Sequence, residues 1–214
     1  MNRGARAARR ARSHRGYTIV ELMMAITVFG IGVAGIISME KVTSASNQHA
    51  KNLAIATHIA ESWLDMLHAD ASTWNHPSPG YPIADLGTDT VWLQGVVSNA
   101  GANSWFLPAW NTQLGFGPAF DALGNPINTT NGDLSNVAFC SNLRLSYLFP
   151  PNPSSGNGLI RAEVRVFWLR DGQTSPQAGT NMCATTMPTN LINGATNVFH
   201  FVQKITAIRE NTTP

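Results

Sequence analysis

The chain has 214 residues, enough for one domain or two with a modest core. Only 12% are charged, about half the usual share, and Gly, Pro, Ser, Thr and Asn abound, which points to a loop-rich, β-containing domain outside the cytoplasm. The net charge of +2 hides a segregation: residues 1–16 carry six arginines and no acid, and the remainder carries twelve acids against eight bases. An arginine arm that binds RNA or DNA is the competing reading of this leader. It is set aside because the arm abuts an apolar segment and no second basic patch follows, so no nucleic-acid partner is expected.

Tyr17 to Met39 form a run of 23 residues in which Glu21 is the one formal charge. As a helix rising 1.5 Å per residue it reaches roughly 35 Å, enough to cross a hydrocarbon core of ~30 Å. The arginines before it place the N-terminus in the cytoplasm and send the rest of the chain outward. A cleaved signal peptide would have a shorter apolar region ending in a small-x-small site. A plain signal anchor fits the length but leaves Glu21 unexplained. A carboxylate in a membrane segment needs a named partner. Cleavage between Gly16 and Tyr17 would supply one, because Tyr17 would then carry an α-ammonium four residues before Glu21, on the same chain or on a neighbouring copy. The positive end of the helix dipole would add about 0.3–1 kcal/mol.

The run Gly16-Tyr17-Thr18-Ile19-Val20-Glu21-Leu22, followed by an apolar helix, resembles the class III signal sequence of type IV pilins and type II secretion pseudopilins. Tyr17 stands where that motif usually has Phe. The resemblance implies that a prepilin peptidase cuts after Gly16, that Tyr17 becomes the N-methylated terminus, and that Glu21 promotes assembly. It also implies partners: other pilin subunits through the N-terminal helix, the inner membrane and the pilus assembly machinery. Gly30, Gly32 and Gly35 either let neighbouring helices approach closely or lower the cost of local unwinding, by about 1 kcal/mol each relative to alanine.

Residues 40–70 continue as an amphipathic helix. Leu53, Ala56, Ala60, Trp63 and Leu67 form one apolar stripe flanked by Ile59 and Leu64, and Asp70 to Thr73 with Pro77 to Gly80 end it. His58, Glu61, Asp65 and His68 share the opposite face. Their chemistry could hold zinc, but a solvated surface with ion pairs within the helix is the plainer account, and no metal or other cofactor is expected. Residues 71–136 read as a long irregular connection with a short strand at Val91–Ser98. Trp74, Trp92, Trp105 and Trp110 there either anchor the connection on a sheet or bind a partner or a sugar. Asn128 to Asp133 has a calcium-like spacing of oxygens but lacks a terminal Glu, so it reads as a turn. Asn128 and Asn211 each open a glycosylation sequon, read as chance matches.

Three strands follow. Val137–Phe149 alternates Leu143, Leu145, Tyr147 and Phe149. Leu159–Arg170 sends Ile160, Ala162, Val164, Val166 and Trp168 one way and Arg161, Glu163 and Arg165 the other. Asn197–Arg209 puts Phe199, Phe201, Ile205 and Ala207 on one face. This period predicts an antiparallel sheet covered on one side. Cys140 and Cys183 form one disulfide if this half lies outside the cytoplasm; otherwise they are two buried thiols.

The expected protein is α+β: a basic leader (1–16, cleaved), a transmembrane assembly helix (17–39), an amphipathic continuation of that helix (40–70) and a β-rich domain outside the cytoplasm (71–214). It stays in the inner membrane by a single pass, then enters a pilus or a periplasmic pseudopilus. The expected function is that of a minor pilin, a structural subunit of a type IV pilus or its priming complex. The stretch from Gly30 to Met39, with Ala54 to Glu61, resembles the pilus-modification class of such subunits. The alternative is a minor pseudopilin of a type II secretion system. An anchored enzyme is a remote third reading, since no nucleophile elbow, carboxylate pair or metal motif stands out.

Overall fold

The computed structural model describes residues 16–74, 86–98, 103–131, 134–150, 158–175, 181–184, 187 and 189–210. The arginine leader before Gly16, the Pro77 to Gly80 stop, Gly132 and Asp133 of the calcium-like run, and the sequon at Asn211 lie outside them. The chain divides into two units, Met1–His49 and Ala50–Pro214. One helix, α1 (Ile19–Ala71), runs through both.

In the first unit α1 buries none of its side chains. Its hydroxyls are turned back onto the helix: Thr27 and Ser38 donate to the carbonyls of Met24 and Gly35 at 2.8 Å, and Thr43 donates to Met39 at 2.9 Å. These three hydroxyls are thereby satisfied within the segment, as an apolar solvent demands.

In the second unit α1 packs on a six-stranded antiparallel sheet. Its strands are β1 (Trp105–Phe106), β2 (Ala119–Phe120), β3 (Pro126–Ile127), β4 (Phe139–Phe149), β5 (Leu159–Leu169) and β6 (Phe199–Arg209). The order is β3-β2-β4-β5-β6, and β1 pairs with β4 beside β2. Short helices α2 (Gly95–Ser98) and α3 (Thr189–Gly194) lie in the connections.

The main core forms where Ala56, Ile59, Ala60, Trp63 and Leu67 of α1 meet Leu143 and Leu145 of β4, Ile160 to Trp168 on alternate positions of β5, and Ile208 of β6. Full burial of side chains such as Ile59 and Leu67 contributes about 1.5–3 kcal/mol each. Trp63 donates its indole N–H to Ser141 Oγ at 2.6 Å, and its ring meets Trp92 and Phe116 edge-on, with centroids 5.3 and 4.8 Å apart. Trp74 and Trp92 thus anchor the irregular connection in the core.

Four sequence expectations need correction. Leu53 is 43% exposed and Ile59 is wholly buried. The turn at Gly124 closes over Ile55 and Ile59, so the buried stripe leans to that flank; φ is +87° there, and an added Cβ would meet Ile55 at 3.1 Å. Second, Val91–Ser98 is not a strand. The Asp70 carboxylate accepts the N–H groups of Val91, Trp92 and Leu93 at 2.7 to 2.9 Å, which coils this apolar run into turns that lead into α2.

Third, the inward face of β6 is the opposite of the one read from the sequence. Phe201 and Ile205 are 47% and 54% exposed, while Val202 packs against the main core and Ile208 lies in it. Registers of Phe201 with Phe167 and Ile205 with Glu163 place them on the sheet face away from α1. Only Phe199 of that set is buried. Fourth, that outer face is itself partly covered. Cys140, Phe167 and Phe199 pack under Met182, Cys183, Met187 and Ile192, and Glu163 and Arg165 are buried beside them.

Candidate functional site

The start of α1 is built by a local motif. Thr18 accepts the backbone N–H of Glu21 on its Oγ1 at 3.3 Å, and the Leu22 N–H donates to the Thr18 carbonyl at 3.1 Å. Thr18 is therefore the N-cap, and Glu21 sits at the third helical position, where a Thr-x-x-Glu pattern marks a helix start and a carboxylate faces the positive end of the dipole. The spacing of Thr18 and Glu21 in the sequence carries this signal. Tyr17 precedes the cap, so its spacing of four from Glu21 is not a turn of helix in the uncut chain.

Gly16, Tyr17 and Glu21 are all exposed. An added Cβ on Gly16 would meet nothing within 4 Å, and the same holds for Gly30, Gly32 and Gly35. Among the described residues the fold places no steric demand for glycine at these positions. The helix from Ile19 onward presents Met23, Ile26, Phe29, Ile31, Ile36 and Met39 to its surroundings, and it is long and apolar enough to cross a membrane. A continuous exposed apolar surface of this kind marks a site of membrane or protein interaction.

His58, Glu61, Asp65 and His68 do lie on the exposed side of α1. Two of them reach across to β6 rather than pairing along the helix. Glu61 accepts an ion pair from Lys204 at 3.2 Å, and His68 Nε2 meets Thr206 Oγ1 at 3.3 Å. Exposed pairs of this kind contribute about 0–1 kcal/mol. Cys140 and Cys183 are joined by a disulfide with their Cα atoms 5.4 Å apart, which ties the segment after β5 to the start of β4.

Residues 11–37 match the family described as the prokaryotic N-terminal methylation motif. The match contains Gly16, Tyr17 and Glu21 together with the exposed apolar part of α1, and with that helix it marks the chain as pilin-like or pseudopilin-like. Such a motif implies processing by prepilin peptidase, anchoring in a membrane and assembly with pilin-type subunits. No curated protein and no solved structure matches the chain.

Proposed function

We propose that this chain, which carries a prepilin-type methylation motif on a long apolar helix, is a minor pilin: a structural subunit that enters or primes a type IV pilus and performs no catalysis. The observation that carries the reading is the conjunction at Gly16. The motif requires a glycine there, and the fold does not, so the demand comes from outside the chain. A peptidase that must approach the 16–17 bond closely is such a demand.

The mechanism follows from charge and phase. The arginine leader holds the N-terminus at the cytoplasmic face, so the sheet domain lies outside the cytoplasm. Cleavage creates an ammonium on Tyr17, and methylation leaves that cation in place. Glu21 then meets a cation at the edge of the apolar phase, from its own terminus or from a neighbouring subunit. At a separation of ~4 Å and an effective dielectric near 20 such a pair is worth roughly 4 kcal/mol before desolvation. A pair between subunits sets the axial register of the packed helices, and Gly30, Gly32 and Gly35 give those helices close approach.

Mass spectrometry of the mature N-terminus tests the reading. The expected product begins at Tyr17 with one added methyl group; a functional protein that retains its leader would overturn the proposal. Deletion then separates the two machines. Loss of piliation with secretion intact fits the minor pilin, and the reverse assigns the chain to a type II secretion pseudopilus.

A further inference from the structure

The outer face of the sheet holds a charged cluster that the assembly helix does not use. Asn142 of β4 pairs with Arg165 of β5, and Arg144 pairs with Glu163 one step along. Glu163 is wholly buried, and its carboxylate lies among cations, with hydrogen bonds to Oε2 and an ion pair at Oε1. Arg144 and Gln203 donate to Oε2, Gln203 at 2.8 Å, and Arg161 Nη2 lies 2.6 Å from Oε1. Two arginines thus share one carboxylate, and Arg165 is left without an acid among the described residues.

Arg165 is 5% exposed. Its Nη1 donates to Asn193 Oδ1. Its Nε and Nη2 are buried and make no hydrogen bond among the described residues, and Asn142 Nδ2 beside them is in the same condition. Nε and Nη2 form one edge of the guanidinium, with two parallel N–H groups. That edge matches the two oxygens of a carboxylate. The half-buried Trp105 ring covers the spot, with its centroid 4.3 Å from Arg165 Cζ and 4.8 Å from Arg144 Cζ.

The unpaired atoms of Arg165 and Asn142 are all donors, and the unpaired acceptor nearby, Glu163 Oε1, is held against the Arg161 guanidinium. A water accepts two hydrogen bonds and must place its own protons on acceptors, whereas an ionised carboxylate only accepts and has about four lone-pair sites. A buried cation without a counter-ion is costly, so the cluster calls for negative charge as well as for acceptors. We infer that Arg165 and Asn142, beneath Trp105, form a binding site for one carboxylate group, held side-on by the guanidinium edge. Burial, and next the positive charge of Arg144, push the Arg165 pKa down to about 10, in keeping with a cation that lacks its partner.

The test uses the full-length processed protein in detergent micelles. Thermal unfolding is followed while acetate replaces chloride at constant ionic strength, and binding is read directly from the NMR signal of 13C-labelled acetate. The expected result is a Tm that climbs with the logarithm of acetate concentration, as mass action requires. Arg165→Lys keeps the charge and loses the fork, so acetate affinity falls about tenfold or more. Asn142→Ala loses one donor and gives a smaller loss. Near-UV circular dichroism establishes that each variant is folded, and Asn142→Ala carries the test if Arg165→Lys is not. A parallel titration with N-acetyl-glutamate amide distinguishes the sources: a response to acetate alone indicates a free small acid, and a response to both indicates an acidic side chain of another subunit. Equal effects of chloride and acetate, a response to phosphate alone, or unchanged acetate affinity in every folded variant would overturn the assignment.

Discussion

Asp70 is 7% exposed, at the end of α1, and its carboxylate accepts three consecutive backbone N–H groups. Oδ2 takes Trp92 and Leu93, and Oδ1 takes Val91. In Asp70→Asn one of these oxygens becomes an NH2 group. If the amide oxygen keeps Trp92 and Leu93, the new NH2 faces the Val91 N–H, donor against donor. The other two bonds lose their charge assistance. An orphaned, partly buried donor costs about 1–3 kcal/mol, and the weakening of two charge-assisted bonds adds roughly 1 kcal/mol. The expected loss is therefore about 2–4 kcal/mol, felt first in residues 86–98, whose Trp92 and Leu93 belong to the main core. Hydrogen exchange read by mass spectrometry on the full-length protein in micelles measures it by segment. Protection of the 91–97 amides should fall by at least tenfold, while the paired amides of β5 change less. Wild-type protection in the 91–97 segment would refute the assignment of Asp70 as the anchor of this connection.

Four further outcomes are expected. Reducing the Cys140–Cys183 bond, which closes a loop of sequence separation 43, should cost about 4 kcal/mol on the chain-entropy account, read as a lower denaturation midpoint with dithiothreitol. Gly158→Ala would place a Cβ 2.4 Å from the Trp74 ring and 2.9 Å from Glu210 Oε2, so a loss of about 1–3 kcal/mol should appear in urea unfolding. The Asn125 side-chain amide, and then the backbone amides of Asn125, Leu123 and Gly124, hold the Asp121 carboxyl below its ordinary value of 3.8 against the opposing effect of burial. Its stabilisation of the β2–β3 turn is present above that pH and lost as pH falls through the lower folded value, so the stability gap between wild type and Asp121→Ala should close in strong acid. Glu21→Ala should be inserted and cleaved normally but recovered from sheared filaments in strongly reduced amount; full recovery on immunoblots would sink the pairing idea.

Local chemistry explains which parts of the fold were legible in the sequence. The apolar span, the stripe from Ala56 to Leu67 and the alternation along β5 each repeat over many residues, and each appears where the period placed it. The two-residue strands β1, β2 and β3 are too short to carry a period. Val91–Ser98 reads as a strand because its residues are apolar and branched, and one distant carboxylate overrides that propensity. On β6 both faces carry apolar groups, so composition alone could not say which faced α1. The polar residues of β5 signal solvent by default; Trp105 of β1 and Asn193 of α3 lie against Arg165, and Arg144, Arg161 and Gln203 crowd round Glu163, which turns both into buried groups. The carboxylate site is illegible for the same reason, since it exists only where β1, β4 and β5 bring Trp105, Asn142 and Arg165 together.

The place of Glu21 at the helix start and the assembly role proposed for it can be separated by geometry. The hydrogen bond that starts α1 runs from the backbone N–H of Glu21 to Thr18 Oγ1, so it needs Thr18 and no particular side chain at 21. Replacing Glu21 with alanine keeps that cap and removes the carboxylate. It forfeits a dipole interaction of about 0.3–1 kcal/mol, too little to unfold the long helix α1. An assembly defect in Glu21→Ala is then a defect of charge pairing, whereas Thr18→Val should fray the helix start and leave the charge in place. If both variants failed alike, the ordered helix end would be the common requirement. If only Glu21→Ala fails, the carboxylate itself recruits the subunit.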